Sequence, residues 1–235
     1  MRPRGSEGVS PGVRVFLIHG MGRSRASMAL LSARLRRAGH AVSTFGYLVL
    51  KDSLDDIAAG WAGHIADQLK HGRQGGWAPV AAPEPYAIIG HSLGNIITRH
   101  ATDQLPAGLS RFVMLAPPNN SPVMARWLQE NPVFKVLTRD GGQKLASPDF
   151  YEQLSRPDVP TLIIAGDKGP RLSWLPFDGE HDGLVGIDEA RLDGVPLHVV
   201  PAMHTFIMNH PQVTRVIHTF LEKGRPPGEL GVTAA

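Results

Sequence analysis

The 235-residue chain has no cysteine, so it can form neither disulfides nor thiolate metal sites. It has no apolar run long enough to cross a bilayer, and stable membrane insertion is not expected. A His-Glu-x-x-His helix is also missing, so the helical zinc signature is absent and no metal is expected. Charge of one sign is not concentrated. The formal net charge is +3, and Arg34, Arg36 and Arg37 fall near the end of one helical pattern, where cations suit the helix dipole. Nucleic acid is therefore not an expected partner. The start, Met1-Arg2-Pro3-Arg4-Gly5-Ser6, is charged but leads into no secretory core. Its first apolar run, 13–18, is short and contains Arg14, so the default expectation is a cytoplasmic protein.

What is present is ample apolar content. At 42% hydrophobic residues the chain can bury one full core. Runs suited to strands covered on both faces recur at 13–18, 86–89, 111–115, 161–165 and 197–200, with a weaker one at 41–47. Helical patterns alternate with them. Met28, Leu31 and Leu35 share one face, with Gly39 as a stop. Leu54, Ile57, Ala58, Trp61, Ile65 and Leu69 follow behind Asp52 as a proposed N-cap. The last helix opens at Pro211, turns Val213, Val216, Ile217, Phe220 and Leu221 inward, and ends at Gly224. This alternation predicts an α/β fold, a mostly parallel sheet with helices on both faces. A single domain is expected over 12–224, with flexible tails at 1–11 and 225–235. Segments 72–85, 117–160 and 166–186 read as longer loops, and those at the carboxyl edge of such a sheet are where a pocket is built.

Gly90-His91-Ser92-Leu93-Gly94 stands between the run Tyr86-Ala87-Ile88-Ile89 and a helical pattern. Gly-x-Ser-x-Gly alone is a weak signal; between a buried strand and a helix it is the context of a nucleophile elbow. A serine used only to cap the helix is the plainer alternative. A serine hydroxyl is a poor nucleophile until a base takes its proton and a third group orients that base. His204 is the candidate base, because it follows the last strand by three residues and precedes the last helix. His198 lies inside the strand, while His210 and His218 belong to the final helix and its cap. For the acid, Asp167 stands at the end of a strand and Asp182 lies on a longer excursion before Gly183; position leaves both open.

Two backbone N–H groups converging on one point would hold an oxyanion. The candidates are Leu93, after the serine, and Met21, in His19-Gly20-Met21-Gly22-Arg23-Ser24 after the first strand. The glycines of that turn could instead suggest nucleotide binding. A dinucleotide fingerprint would need glycine where Arg25 stands, and no Gly-Lys-Ser/Thr follows. Trp127, Phe134, Trp174 and Phe177 are open between an acyl pocket and core packing, and His91 between shaping the elbow and filling space.

His19-Gly20, the Gly90–Gly94 elbow, Asp182-Gly183-Leu184-Val185 and His204, in this order, resemble an α/β-hydrolase. More narrowly the chain resembles the compact bacterial lipase/esterase-like group related to triacylglycerol lipases, over roughly residues 13–223. Leu115-Ala116-Pro117-Pro118-Asn119 resembles that group's segment after the strand following the elbow helix; Asn120-Ser121 departs from the Gly-Ser often found next. The resemblance implies a minimal single-domain α/β-hydrolase fold, Ser92 as nucleophile, His204 as base and Asp182 rather than Asp167 as acid. It implies hydrolysis of a small-molecule acyl ester through an acyl-enzyme, with no cofactor. Acyl transfer, thioester or amide hydrolysis on the same triad is the alternative, and a non-catalytic ligand-binding protein of this fold is a further one.

Overall fold

The structure is a computed structural model that describes residues 12–71, 83–120, 122–128, 147–172 and 174–225. Its six strands are β1 (Arg14–Ile18), β2 (Ala41–Phe45), β3 (Tyr86–His91), β4 (Leu109–Leu115), β5 (Thr161–Gly166) and β6 (Leu197–Val200). They form one sheet in the order β2-β1-β3-β4-β5-β6, and every neighbouring pair is parallel. The chain winds outward from β1 to β2 and then returns across β1 to β3. That reversal opens a crevice between the carboxyl ends of β1 and β3.

Side chains alternate between two cores, as a sheet covered on both faces requires. Val15, Leu17, Ala87, Ile89, Val113, Leu115, Leu162 and Ile164 pack on one side. There they meet Leu31 and Leu35 of α1 (Ala29–Arg37), and Val213, Ile217 and Phe220 of α7 (Pro211–Lys223). Phe16, Ile18, Tyr86, Ile88, Phe112, Met114 and Ile163 pack on the other side. They meet α2 (Leu54–His71) and α3 (Leu93–His100). Trp61 is fully buried there, edge-on to Phe16 at 6.4 Å between ring centres. Its indole N–H donates to Thr98 Oγ1 at 3.2 Å, tying α2 to α3.

Local signals set the ends of the elements. Gly39, at φ +93°, takes the left-handed position after α1, and His40 N–H closes back on Leu35 O at 3.1 Å. The start of α2 differs from the sequence reading. Its cap is Ser53 and not Asp52, because Ser53 Oγ accepts the Asp56 N–H at 3.1 Å while the Asp56 carboxylate accepts the Ser53 N–H at 3.4 Å. An acid stands three residues after either candidate, but Asp56 closes the reciprocal box on Ser53 while Asp55 pairs with His100. β2 stops two residues short of its expected end, and β3 runs on through His91. Of the 117–160 stretch, short helices α4 (Val123–Leu128) and α5 (Pro148–Glu152) are described. The intervening 129–146, most of the 72–85 loop and the expected tails, apart from Arg225, lie outside the described residues. Among the described residues no helix is long and apolar enough to cross a membrane.

Burial pushes the pKa values of His19, His40, His64, His91, His181 and His198 below their ordinary 6.5. Below pH 6.5 the unfolded chain therefore binds protons that the folded chain refuses, and stability falls as pH falls. A thermal-melt series is expected to show Tm dropping between about pH 7 and about pH 5. A flat or rising Tm over that window contradicts neutral buried histidines.

Candidate active site

Ser92 joins β3 to α3 at φ +51° and ψ −122°, a conformation that costs a non-glycine residue about 1–3 kcal/mol. Neighbours on both sides hold it there. The Ser92 N–H donates to Leu115 O at 2.9 Å, and Asn95 N–H donates to Ser92 O at 3.0 Å. Fully buried Asn95 adds two bonds from Nδ2, to Ser92 O and Leu115 O, each 3.1 Å. The flanking glycines have steric reasons. A Cβ on Gly94 would lie 2.7 Å from His19 O and 2.8 Å from Ile18 O, and one on Gly90 would meet the Asn95 side chain. Only glycine lets β1 and its following turn pass so close to the elbow.

His204 follows β6 and opens a 3-10 turn, His204–Asn209, with 5% of its surface exposed. Its Nδ1 lies 2.7 Å from Asp182 Oδ2, and its backbone N–H donates to Asp182 O at 2.9 Å. The other carboxylate oxygen of Asp182 accepts N–H groups from Leu184 at 3.0 Å and Val185 at 2.8 Å. A carboxylate only accepts, so Nδ1 carries the hydrogen and the neutral ring keeps its lone pair at Nε2. Asp167, the other acid left open by position, is elsewhere. Its Oδ2 pairs with Lys168 Nζ at 2.9 Å, and it lines a cavity of about 550 Å³ with Arg171, Leu172 and Phe177. The excursion after β5 returns to the strand end because Gly166 has no side chain. A Cβ there would lie 3.0 Å from Asp182 Cβ.

No hydrogen bond joins Ser92 Oγ to His204 among the described residues. The two are linked through His91, whose Nε2 donates to His204 O at 3.1 Å and whose ring centre lies 4.9 Å from that of His204. Leu93 is the first residue of α3, so its N–H precedes the helix ladder. Met21 lies in the turn after β1 and packs against the same core cluster as Leu93. That turn is fixed by His19, which is buried and stacked on Tyr47 at 4.4 Å. Tyr47 N–H donates to His19 Nε2 at 3.4 Å, so Nδ1–H donates to Gly20 O at 2.9 Å. The Tyr47 hydroxyl holds His19 O at 2.9 Å.

Several supports escaped the sequence reading. Asn95 shares its helix face with Thr98 and Arg99, so no apolar pattern marked it as buried, and Tyr47 carried no local signal either. Arg99, 4% exposed, donates to Ser155 O, Leu154 O and Asn119 Oδ1, and burial pushes it down to about 10, leaving it charged. Asn119 Nδ2 then reaches Ala190 O at 2.8 Å, so the segment after β4 is tied to the short helix α6 (Ile187–Ala190) beyond the Asp182 loop. Of the aromatic candidates, Trp127 and Trp174 are exposed with ring centres 6.3 Å apart, and Phe177 stacks on His181 at 3.9 Å. Phe134 lies outside the described residues. No cluster of three or more metal-ligating side chains occurs among the described residues.

A strained serine turn and a buried carboxylate–imidazole pair thus lie at the carboxyl edge of the sheet, linked through His91. No protein-family model matches the chain, and no curated protein matches it in sequence. Solved structures do. The mature lipase BlEst2 of Bacillus licheniformis superposes with a TM-score of 0.71 at 17% identity, over 90% of this chain and 92% of that one. MGS-MChE2, an alpha/beta hydrolase enzyme from a lagoon-sediment metagenome, gives 0.57 at 16% identity over 91% and 92%. The thioesterase domain from the curacin biosynthetic pathway gives 0.55 at 13% identity over 91% and 92%. At such identities the likeness speaks for architecture, and with the parallel sheet and the serine turn it establishes that this chain has the α/β-hydrolase fold.

Proposed function

We propose that the protein is a serine hydrolase that cleaves carboxylic esters of small molecules through Ser92, His204 and Asp182. His204 Nε2 takes the Ser92 proton as Oγ attacks the acyl carbonyl, and Asp182 orients the imidazole and stabilises the imidazolium. The carbonyl oxygen becomes an oxyanion held by the N–H groups of Met21 and Leu93, the second at a helix start whose dipole favours negative charge. His204 then gives its proton to the leaving alcohol. Water attacks the acyl-serine by the same route, releasing the acid and restoring Ser92. No cofactor enters these steps. The observation that carries the reading is the 2.7 Å His204–Asp182 bond, buried at the sheet edge that also holds Ser92 in its strained turn.

Partitioning tests the acyl-enzyme directly. Phenyl and p-nitrophenyl butyrate, turned over in water containing methanol, are expected to give the same ratio of methyl butyrate to butyrate. A ratio that follows the leaving group means direct attack by water, and no turnover of either ester contradicts the reading. Thioesters are the second substrate class, favoured by the likeness to a thioesterase domain. Their kcat/KM relative to matched oxygen esters decides between the two.

A further inference from the structure

We propose that His91 is a positioning residue for His204, holding the base above Ser92 by donating its Nε2–H to the His204 carbonyl. This rests on the ester-hydrolase reading above. His91 ends β3 and follows Ala87 and Ile89 on the sheet face covered by α1 and α7. The His204 turn rises from β6, three strands away in the sheet. One bond of 3.1 Å crosses that gap and joins residues 113 positions apart in sequence. It links the residue next to the serine directly to the main chain of the base, bypassing β4 and β5.

The chemistry of the ring points to a positioning role and not to space filling. A carbonyl only accepts, so His91 Nε2 carries the hydrogen and Nδ1 is bare. That Nδ1 is buried and has no hydrogen-bond partner among the described residues. An apolar side chain would fill the same space without leaving an acceptor unmet, so what the imidazole adds is the hold on His204. Burial and the neighbouring His204 push its pKa well below the ordinary range, which keeps the ring neutral and the single-donor arrangement intact. The unmet nitrogen faces Gly20, where a Cβ would lie 2.9 Å from it and 2.8 Å from Ser92 Cβ.

A second contact acts on the next residue. Arg23 Nη2 donates to Thr205 O at 3.3 Å, so consecutive carbonyls of the base turn are held from two different segments. One is the elbow that carries Ser92 and Leu93. The other is the turn after β1 that carries Met21. The base is thereby referenced to both parts of the site, and a carbonyl released on one side lets the imidazole drift relative to Oγ.

The test compares His91→Phe, which keeps a ring but no donor, with His91→Gln, whose Nε2 can donate from a similar reach. Each is measured for kcat and KM on p-nitrophenyl butyrate across pH, and for Tm. Loss of positioning is expected to lower kcat of His91→Phe by about 10-fold or more with KM changed by less than about 2-fold. His91→Gln is expected to recover to within about 3-fold of wild type. A Phe variant within about 2-fold of wild type overturns the proposal, as does equal impairment of both variants tracking a common fall in Tm. Nitrogen-15 NMR of the wild-type protein gives a readout that needs no variant to fold: His91 is expected as the Nε2–H tautomer, and Nδ1–H overturns the proposal. An active wild type with an unimpaired Phe variant sinks the positioning role alone. A wild type inactive on esters sinks the ester-hydrolase reading, and the positioning role with it.

Discussion

Replacing Ser92 by alanine is expected to lower kcat for p-nitrophenyl butyrate by about 10⁶-fold, to the level left by binding and backbone donors alone. The change removes one oxygen and little else. The turn is held by main-chain bonds, Ser92 N–H to Leu115 O and Asn95 N–H to Ser92 O, together with the Asn95 side chain, and alanine keeps all of them. Tm should therefore stay close to wild type, because the positive φ is a burden of the backbone and both side chains bear it alike. Members of a triad act as a unit, so adding His204→Ala to Ser92→Ala should cost almost nothing more. Steady-state kinetics on the single and double variants checks both statements. Substantial turnover by a folded Ser92→Ala protein removes Ser92 from the mechanism.

Asp182→Asn is expected to lower kcat by about 10⁴-fold while leaving the fold intact. The direction follows from how the two carboxylate oxygens are used. One accepts the Leu184 and Val185 N–H groups, and the other faces His204 Nδ1. An asparagine must keep its carbonyl oxygen toward the two N–H donors, which turns its NH₂ group toward His204. A donor there requires a bare Nδ1, so the hydrogen moves to Nε2, where the lone pair was needed to take the Ser92 proton. Asp167→Asn is the control. Its carboxylate pairs with Lys168 and makes no hydrogen bond to His204 among the described residues, so kcat should remain within about 3-fold of wild type. Kinetics on the two variants side by side separates the acids. A large loss in Asp167→Asn with none in Asp182→Asn reverses their roles.

The sequence carried the fold because its strands are covered on both faces and so read as short unbroken apolar runs. Ile88 and Ile89 pack into opposite cores, yet both had to be apolar. The turn at Ser92 was legible for a related reason, since its glycines answer to contacts with Ile18, His19 and Asn95 that no other residue tolerates. The acid was not legible from position. Asp167 stands nearer the strand end, and only the return of the 166–182 excursion over Gly166 brings Asp182 to His204. Tyr47 was hidden as well, because its hold on His19 joins residues 28 apart that meet only after β1 and β2 pair. The Asp52 reading failed on a finer point. Both Asp52 and Ser53 are good caps with an acid three residues on, and the choice depends on Asp55 turning to His100 on α3, a contact the local sequence does not show.

The central claim is that this serine is activated, and covalent labelling tests it most directly. Wild-type protein and Ser92→Ala are each exposed to a fluorophosphonate at pH 8, followed by intact mass and peptide mapping. The account predicts one phosphonyl adduct per wild-type chain, mapped to Ser92, and none on the variant. A folded wild-type protein that takes no label, or an adduct that persists in Ser92→Ala, contradicts it.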